Sequence, residues 1–157
     1  MPKITPFLWF NDNAEEAMNF YRSVFKSSKI GRVTRIGEGV PGPTGTILTA
    51  SFELLGQEFI ALNGGPLFQF NEAISFLVSC ETQQQVDELW EKLSAGGRPG
   101  RCGWLKDKFG LSWQIVPTIL GRLLSDPDAT KVARVRDAML QMQKLDSAEL
   151  ERAANQT

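Results

Sequence analysis

The chain of 157 residues contains no histidine, and this absence limits the chemistry that it can perform. Transition metals in proteins are held mainly by imidazole, carboxylate and thiolate groups, so a metal site here would depend on carboxylates and cysteines. Cys80 and Cys102 lie far apart in the sequence, with no CxxC pattern between them. Cys80 continues the apolar face of a strand with Phe76 and Val78, so a buried structural thiol is expected rather than a redox pair.

Neutral polar side chains occur in two strand-like segments of the second half. In the segment ISFLVSC, strand alternation places Ser75, Leu77 and Ser79 on one face. In the segment KFGLSWQIVP, Gln114 shares a face with Val116. Hydroxyl and amide groups on an apolar surface can orient a small ligand by hydrogen bonding, or they can satisfy one another or bind water. The residues alone leave both interpretations open.

Two further motifs have simple structural explanations. Residues 37–42, GEGVPG, match the dinucleotide-binding pattern GxGxxG, which works only when it leads into a helix N-terminus. Here Pro41 lies within the match, and Pro43 and a β-rich run come after it. The sequence therefore predicts a loop between two strands. The segment 104–108, WLKDK, is predicted to be a solvated turn, with a role of its lysines at the mouth of a cleft as the alternative. Three tryptophans are expected in the core: Trp9, Trp90 and Trp113.

Composition indicates an ordinary globular protein. The apolar content is 42%, the charged content is 22% and the net charge is −1, so no basic surface for nucleic acid or an anionic membrane is expected. The apolar runs are far shorter than the roughly 20 residues that span a bilayer. The N-terminal residues do not resemble a signal peptide, so the cytoplasm is the expected location, with the cysteines reduced.

The chain contains an internal repeat. Aligning residues 5–25 with residues 74–93 places Phe7 and Leu8 on Phe76 and Leu77. The same offset matches apolar residues at helical spacing in both segments: Ala17 with Val86, Phe20 with Leu89, Tyr21 with Trp90 and Val24 with Leu93. Both helices are predicted to begin with a capping box, Asn13 with Glu16 and Thr82 with Gln85.

The segments that follow the helices also match. Gly56 lies between two strand-like runs, as Gly110 does in the second half, and Phe59 then corresponds to Trp113. Each half is therefore predicted to contain a strand, a helix and two or three antiparallel strands. The sequence predicts paired modules within residues 1–118, at about 3–64 and 72–118.

The remaining residues, 119–157, are predicted to form a helical extension. Ser125 is the expected cap of its first helix, with Pro127 in the first turn. A second short helix is expected from Asp146, with Glu149 at its third position. An apolar stripe at helical spacing must pack on the modules or on a partner subunit, since soluble proteins avoid such exposed patches: Val132, Val135, Met139 and Met142.

Four segments resemble the PhnB-like group of the vicinal oxygen chelate superfamily, which includes glyoxalase, bleomycin resistance proteins and extradiol dioxygenases. They are FNDNAEEAMNFYRSVF, SFELLGQEFIALNGGP, ISFLVSCETQQQVDELWEKLSAGG and CGWLKDKFGLSWQIVP, which cover most of residues 4–117. The resemblance implies an α+β fold of two βαβββ modules and a homodimer. Members of the group are often catalogued as 3-demethylubiquinone-9 3-methyltransferases.

The resemblance also indicates where a site would lie. In metal-dependent relatives the ligands come from the first and last strand of each module, which here correspond to positions near Thr5 or Pro6, near Ile60 or Ala61, at Ser75 and at Gln114. This set offers one hydroxyl and one amide, so no metal and no other cofactor are expected. In this register the expected ligand-binding residues are Leu8, Phe10, Ser75, Leu77, Ser79 and Gln114.

The function that these observations favour is metal-free binding of a small organic molecule of unknown identity. One alternative is an enzyme of the glyoxalase/dioxygenase superfamily that works without histidine. The other is the catalogued methyltransferase. An S-adenosylmethionine site usually requires a parallel βαβ sheet, whereas the repeat predicts antiparallel strands.

Overall fold

The structure, a computed structural model, describes residues 1–156, which form two compact units, residues 1–70 and residues 71 onward. The first unit contains β1 (Phe7–Phe10), α1 (Ala14–Val24), β2 (Ser28–Arg35), β3 (Ile47–Leu54) and β4 (Gln57–Asn63). The second unit contains β5 (Ser75–Cys80), α2 (Gln83–Ser94), β6 (Arg98–Pro99), β7 (Trp104–Lys106) and β8 (Ser112–Pro117), followed by α3 (Thr118–Leu124), α4 (Ala129–Leu140) and α5 (Ser147–Asn155). This order confirms two βαβββ modules in an α+β fold.

Each unit has one four-stranded mixed sheet. The strand orders are β1-β4-β3-β2 and β5-β8-β7-β6, so the last strand of each module lies beside its first strand. The first and last strands are parallel, and the other neighbours are antiparallel. Each helix packs on one face of its own sheet, since α1 contacts β3 and β4 while α2 contacts β8, β7 and β5. The opposite face of each sheet is the open face.

Aromatic stacking joins α1 to the first sheet. The Tyr21 ring, fully buried, stacks on Phe52 with the ring centroids 6.2 Å apart. Phe52 in turn stacks on Phe59, its direct partner across β3 and β4, at 5.3 Å. In the second sheet Trp113 takes the position of Phe59 and is 3% exposed, which confirms it as a core residue.

The two helices begin differently, although the sequence predicted the same cap for both. Thr82 makes the expected capping box, in which its hydroxyl accepts the Gln85 N–H at 3.2 Å. The prediction for Asn13 is wrong, because its side chain makes no cap hydrogen bond. The Oδ1 atom of Asn63, at the end of β4, accepts the Ala14 N–H at 2.9 Å instead. The first turn of α1 is thus tied to its sheet by a distant residue.

The alignment of the repeat was wrong by one residue in the first strand. Phe7 pairs with Ile60 of β4, whereas Leu77 pairs with Gln114, the counterpart of Ile60 in β8. Phe7 therefore corresponds to Leu77 and not to Phe76. The cause is one extra residue between strand and helix in the first module, where residues 11–13 replace residues 81–82. The helices keep the predicted alignment while the strand moves by one position.

The helical extension belongs to the second unit and packs within the chain. Val135 is fully buried with Leu120, Leu145 and Leu150, and the other apolar side chains that pack on this cluster include Val116, Met139 and Met142. Val135, Met139 and Met142 of the stripe therefore pack within their own subunit, so they give no argument for a dimer that depends on the tail. The homodimer itself stays a prediction.

The caps of the extension were predicted in part. Asp146 caps α5 by accepting the Glu149 N–H at 3.1 Å, as expected. The prediction of Ser125 as the cap of α4 is wrong, because Asp128 accepts the N–H groups of Thr130 and Lys131. Ser125 instead follows α3, a short helix that the sequence analysis did not identify.

The glycine-rich segment at 37–42 is a loop, as expected. Gly39 and Gly42 have positive φ angles of 81° and 118°, and β3 follows at Ile47 without an intervening helix. No helix of residues 1–156 combines the length and the apolar character that crossing a bilayer requires.

One carboxylate organises the turn between β7 and β8. Asp107 was expected in a solvated turn, but it is only 2% exposed. Its Oδ1 atom accepts the N–H groups of Phe109 and Leu111 at 2.8 and 3.1 Å, and its Oδ2 atom accepts the indole N–H of Trp113 at 2.9 Å. A buried carboxylate is tolerated when its oxygens are hydrogen-bonded in this way.

We predict that Asp107→Asn lowers the free energy of unfolding by about 2–3 kcal/mol, in the range for hydrogen bonds to a charged group. An amide that keeps its oxygen towards the two backbone N–H groups turns its NH2 towards the Trp113 indole N–H, which places donor against donor. Urea denaturation measures the change. Asp12→Asn, at an exposed carboxylate, is the matched control. Equal stability losses in the two variants would contradict this role.

Candidate functional site

The open face of the second sheet collects most of the polar residues that the sequence singled out. Along β5, Ser75, Leu77 and Ser79 lie on this face, while Cys80, 1% exposed, lies on the opposite face. The strand register places them beside three residues of β8: Ser112, Gln114 and Val116. It places residues of β7 and β6 farther along the same face: Trp104, Lys106 and Arg98.

The centre of this face is a hydrogen-bonded pair. The Gln114 Nε2 atom donates to the Ser75 Oγ atom at 2.9 Å. The expectation that these two groups satisfy each other is therefore confirmed for this one bond. A carboxamide has two N–H donors and a carbonyl oxygen, and the hydroxyl keeps its own proton, so most of the bonding capacity of the pair is unused. The pair can bond a ligand without being broken.

Apolar side chains flank the pair. Leu77, paired with Gln114 across β5 and β8, is 55% exposed. Trp104 is the partner of Gln114 on the other side, in β7. A partly buried amide between an aliphatic and an aromatic side chain is the arrangement expected where an organic ligand is oriented by a few polar groups.

Ser79 lies at the opposite end of β5 and is exposed. Its neighbour in β8 is Val116, which packs against the helical extension. The extension therefore limits the open face at this end, and the accessible part extends from Ser79 towards Ser75.

Leu8 and Phe10 do not lie on the open face of the first sheet. They are 5% and 2% exposed, and Leu8 pairs with the fully buried Ala61, so both belong to the core. The one-residue shift of β1 explains the error, and it places Phe7 and Trp9 on the open side. Phe7 is 55% exposed, and the Trp9 indole N–H donates to the Gly65 carbonyl at 2.9 Å. Whether any of the six predicted residues contacts a ligand stays a prediction.

A recess of about 220 Å³ lies at the β6 end of the second open face. Residues that the sequence analysis did not select line it, among them Glu72, Arg98 and Ser112, together with Trp104 and Lys106. Glu72 forms an ion pair with Lys106. The Lys106 ammonium group, by hydrogen bonding and by its charge, holds the pKa of Glu72 below its ordinary value. Only the strand register brings these residues together, since Glu72 precedes β5 and Arg98 follows α2.

A larger depression, of about 420 Å³, lies between α4 and α5, but its two arginines are already engaged. Arg134 donates to the carbonyl oxygens of Ala153 and Ala154 at 2.9 and 3.0 Å. Arg152 pairs with Glu149 at 2.6 Å. This depression therefore offers less for ligand recognition than the open face does.

The residues at the expected metal-ligand positions do not suit a transition metal. Ser75 and Gln114 supply a hydroxyl and an amide, which are bonded to each other. The carboxylate at this end of the face, Glu72, is engaged with Lys106. Burial raises the pKa of the Cys80 thiol, which disfavours the thiolate that a metal needs. Within residues 1–156, no three or more carboxylate or cysteine side chains lie together as a potential metal site.

Comparison with known families assigns the chain. The model of the family described as 3-demethylubiquinone-9 3-methyltransferase matches residues 2–116. The chain belongs to this family. The match covers both modules but not the helical extension. A comparison with curated proteins found no match.

Solved structures show the same relationship. A PhnB protein from Bacillus cereus is 40% identical with a TM-score of 0.69, over 74% of this chain and 100% of that chain. A protein from Pseudomonas aeruginosa is 20% identical with a TM-score of 0.61, over 74% and 98% of the two chains. The fosfomycin resistance protein FosX from Listeria monocytogenes, solved with Mn(II) and sulfate, is 14% identical with a TM-score of 0.54, over 78% and 94%. The last two similarities concern the fold alone.

We predict that Lys106→Gln raises the pKa of Glu72 towards its ordinary value, because the variant removes the charge and the donor that stabilise the carboxylate. A carboxyl NMR titration of the folded protein measures this pKa. Lys92→Gln, on α2, is the control, because Lys92 does not contribute to the shift. A pKa of Glu72 that stays the same in Lys106→Gln would show that the ion pair does not form in solution.

Proposed function

We propose that this PhnB-like protein binds a small organic molecule on the open face of its second sheet, without a transition metal. The observation that carries the proposal is the Ser75–Gln114 pair, whose unused donors and acceptor lie between Leu77 and Trp104. Ser75, Leu77 and Gln114 are proposed as ligand contacts. Ser79, beyond them along β5, is a peripheral contact.

The absence of histidine supports the metal-free part of the proposal. In metal-dependent relatives the ligands come from the first and last strands of a module. The corresponding positions in the second module are Ser75 on β5 and Gln114 on β8, which lie on neighbouring strands. Hydroxyl and carboxamide groups hold a first-row metal weakly when no imidazole, carboxylate or thiolate joins them. An amide between apolar neighbours is instead suited to direct recognition of the carbonyl, hydroxyl or amide groups of a ligand.

The family description keeps methyl transfer as the second candidate function. The described sheets give it no structural support, since each has a single parallel strand pair and the glycine-rich segment ends without a helix. An enzyme of the superfamily that uses carboxylates or lysines without a metal is the other alternative. S-adenosylmethionine therefore belongs in any panel of test ligands. The cytoplasm is the proposed location, and a homodimer is the proposed assembly.

We predict that a small-molecule panel, screened by thermal shift in buffer with chelator, contains ligands whose affinity depends on Gln114. Gln114→Leu should weaken such a ligand about tenfold, which corresponds to the loss of roughly one net hydrogen bond. Titration calorimetry on the chelator-treated protein measures the change. Gln84→Leu, on an exposed turn of α2, is the matched control and should bind as the original chain does.

The same titrations distinguish the alternatives. Binding that appears only after a divalent metal is added would contradict the metal-free proposal. Saturable binding of S-adenosylmethionine that Gln114→Leu does not affect would favour the methyltransferase and place its site elsewhere. Equal losses in Gln114→Leu and Gln84→Leu would remove the open face as the site.

A further inference from the structure

The recess at the β6 end of the open face contains a buried hydroxyl group without a partner. Ser112 is 1% exposed, and its Oγ atom has no hydrogen-bond partner among the described residues. It is the one buried side-chain polar atom of residues 1–156 for which this holds. Leaving a buried hydroxyl unsatisfied costs about 1–3 kcal/mol, so such a group calls for an explanation. Ser112 lines the recess, where a bound group could supply the missing partner.

Two cationic side chains line the recess together with this hydroxyl. The register aligns Ser112 of β8 with Lys106 of β7, and Lys106 with Arg98 of β6. Like charges directly opposite each other on neighbouring strands are destabilising unless a counter-charge is present. Glu72 neutralises Lys106, whereas the Arg98 guanidinium makes no hydrogen bond or ion pair with another of the described residues. The recess therefore keeps one uncompensated positive charge.

The recess is large enough for a small polar group. Its volume is about 220 Å³, and it opens beside Trp104, which pairs with Gln114 at the centre of the open face. A ligand whose organic part lies along Trp104 can therefore extend a terminal group into the recess. Arginine offers a planar set of donors that matches an oxyanion, and lysine adds a point charge.

We propose that this recess is an oxyanion subsite, which takes a carboxylate or phosphate group of the ligand. Arg98 donates its forked N–H groups to the anion, and the Ser112 hydroxyl donates to one of its oxygens. Lys106 exchanges Glu72 for the incoming anion, so Glu72 acts as an internal competitor. This assignment rests on the proposed function, since it specifies the class of molecule that the same open face would bind.

Inorganic phosphate and acetate are the probes, titrated into the full chain at constant ionic strength and followed by amide NMR shifts. Saturable binding is expected, with shifts concentrated at Arg98, Lys106 and Ser112. Arg98→Gln and Lys106→Gln should each weaken binding about tenfold, because each removes a charge-assisted contact. Glu72→Gln should strengthen it, because Lys106 is released. Arg101→Gln, at an exposed arginine in the neighbouring turn, is the matched control and should leave binding unchanged.

Ser112→Ala provides an independent readout. It removes the unsatisfied hydroxyl, so in buffer without phosphate or carboxylate the variant should melt at a higher temperature than the original chain. Added phosphate should also raise the melting temperature of this variant less than it raises that of the original chain. An equal rise in melting temperature with phosphate in Ser112→Ala and in the original chain would contradict the role of the hydroxyl.

The outcomes separate this subsite from the broader proposal. Non-saturable shifts for both probes, or equal weakening by Arg98→Gln and Arg101→Gln, would overturn the oxyanion subsite. Neither result affects a neutral ligand whose binding depends on Gln114 in chelator-treated protein. Loss of that dependence would overturn the proposed function itself.

Discussion

The Asp107 carboxylate holds the part of the structure on which the candidate site depends. By accepting two backbone N–H groups of the turn and the indole N–H of Trp113, it fixes how β7 and β8 pair. That pairing sets Lys106 beside Ser112 and Trp104 beside Gln114. A shift of one residue would turn each of these side chains to the opposite face. The polar open face is therefore a consequence of the same interaction that buries Trp113.

Successive residues of the central strand β8 lie on opposite faces of the sheet. Trp113 and Ile115 face α2 and the core, with exposures of 3% and 0%. Gln114, between them, faces outward and meets Ser75 of the parallel strand β5. At this position the chain supplies an amide, and it has no histidine to place there. This face therefore offers the neutral hydrogen-bonding groups of Ser75 and Gln114, with the charged side chains of Lys106 and Arg98 farther along it.

Much of the fold follows from the sequence, because repetition strengthens each local pattern. The helices, the glycine turns and the succession of strand, helix and antiparallel strands along both modules were predicted from the repeat, and the Thr82 and Asp146 caps were predicted from local spacing. The errors arise where distant residues act. Asn63, at the end of β4, caps α1 from a distant part of the sequence. One extra residue between β1 and α1 places Leu8 and Phe10 in the core, where the open face was predicted. Local patterns contain no information about either effect.

The site was predictable to a smaller extent for the same reason. Ser75, Leu77 and Gln114 share the open face, as the alternation predicted. Side chains alternate between the two faces of a strand, so their faces are predicted correctly wherever the position of the strand is predicted correctly. Arg98, Glu72 and Ser112 were not selected, since their proximity depends on the pairing of β5, β6, β7 and β8. The buried state of Asp107 was also missed, because a charged residue between two lysines has the local features of a solvated turn.

The most direct measurement is a crystal structure of the full chain purified with chelator and soaked with a ligand from the thermal-shift panel. The account predicts ligand density on the open face of the second sheet, with a polar atom within hydrogen-bond distance of Gln114 and no metal ion between them. A metal ion coordinated by protein side chains beneath the ligand, or a ligand bound elsewhere with this face empty, would contradict it.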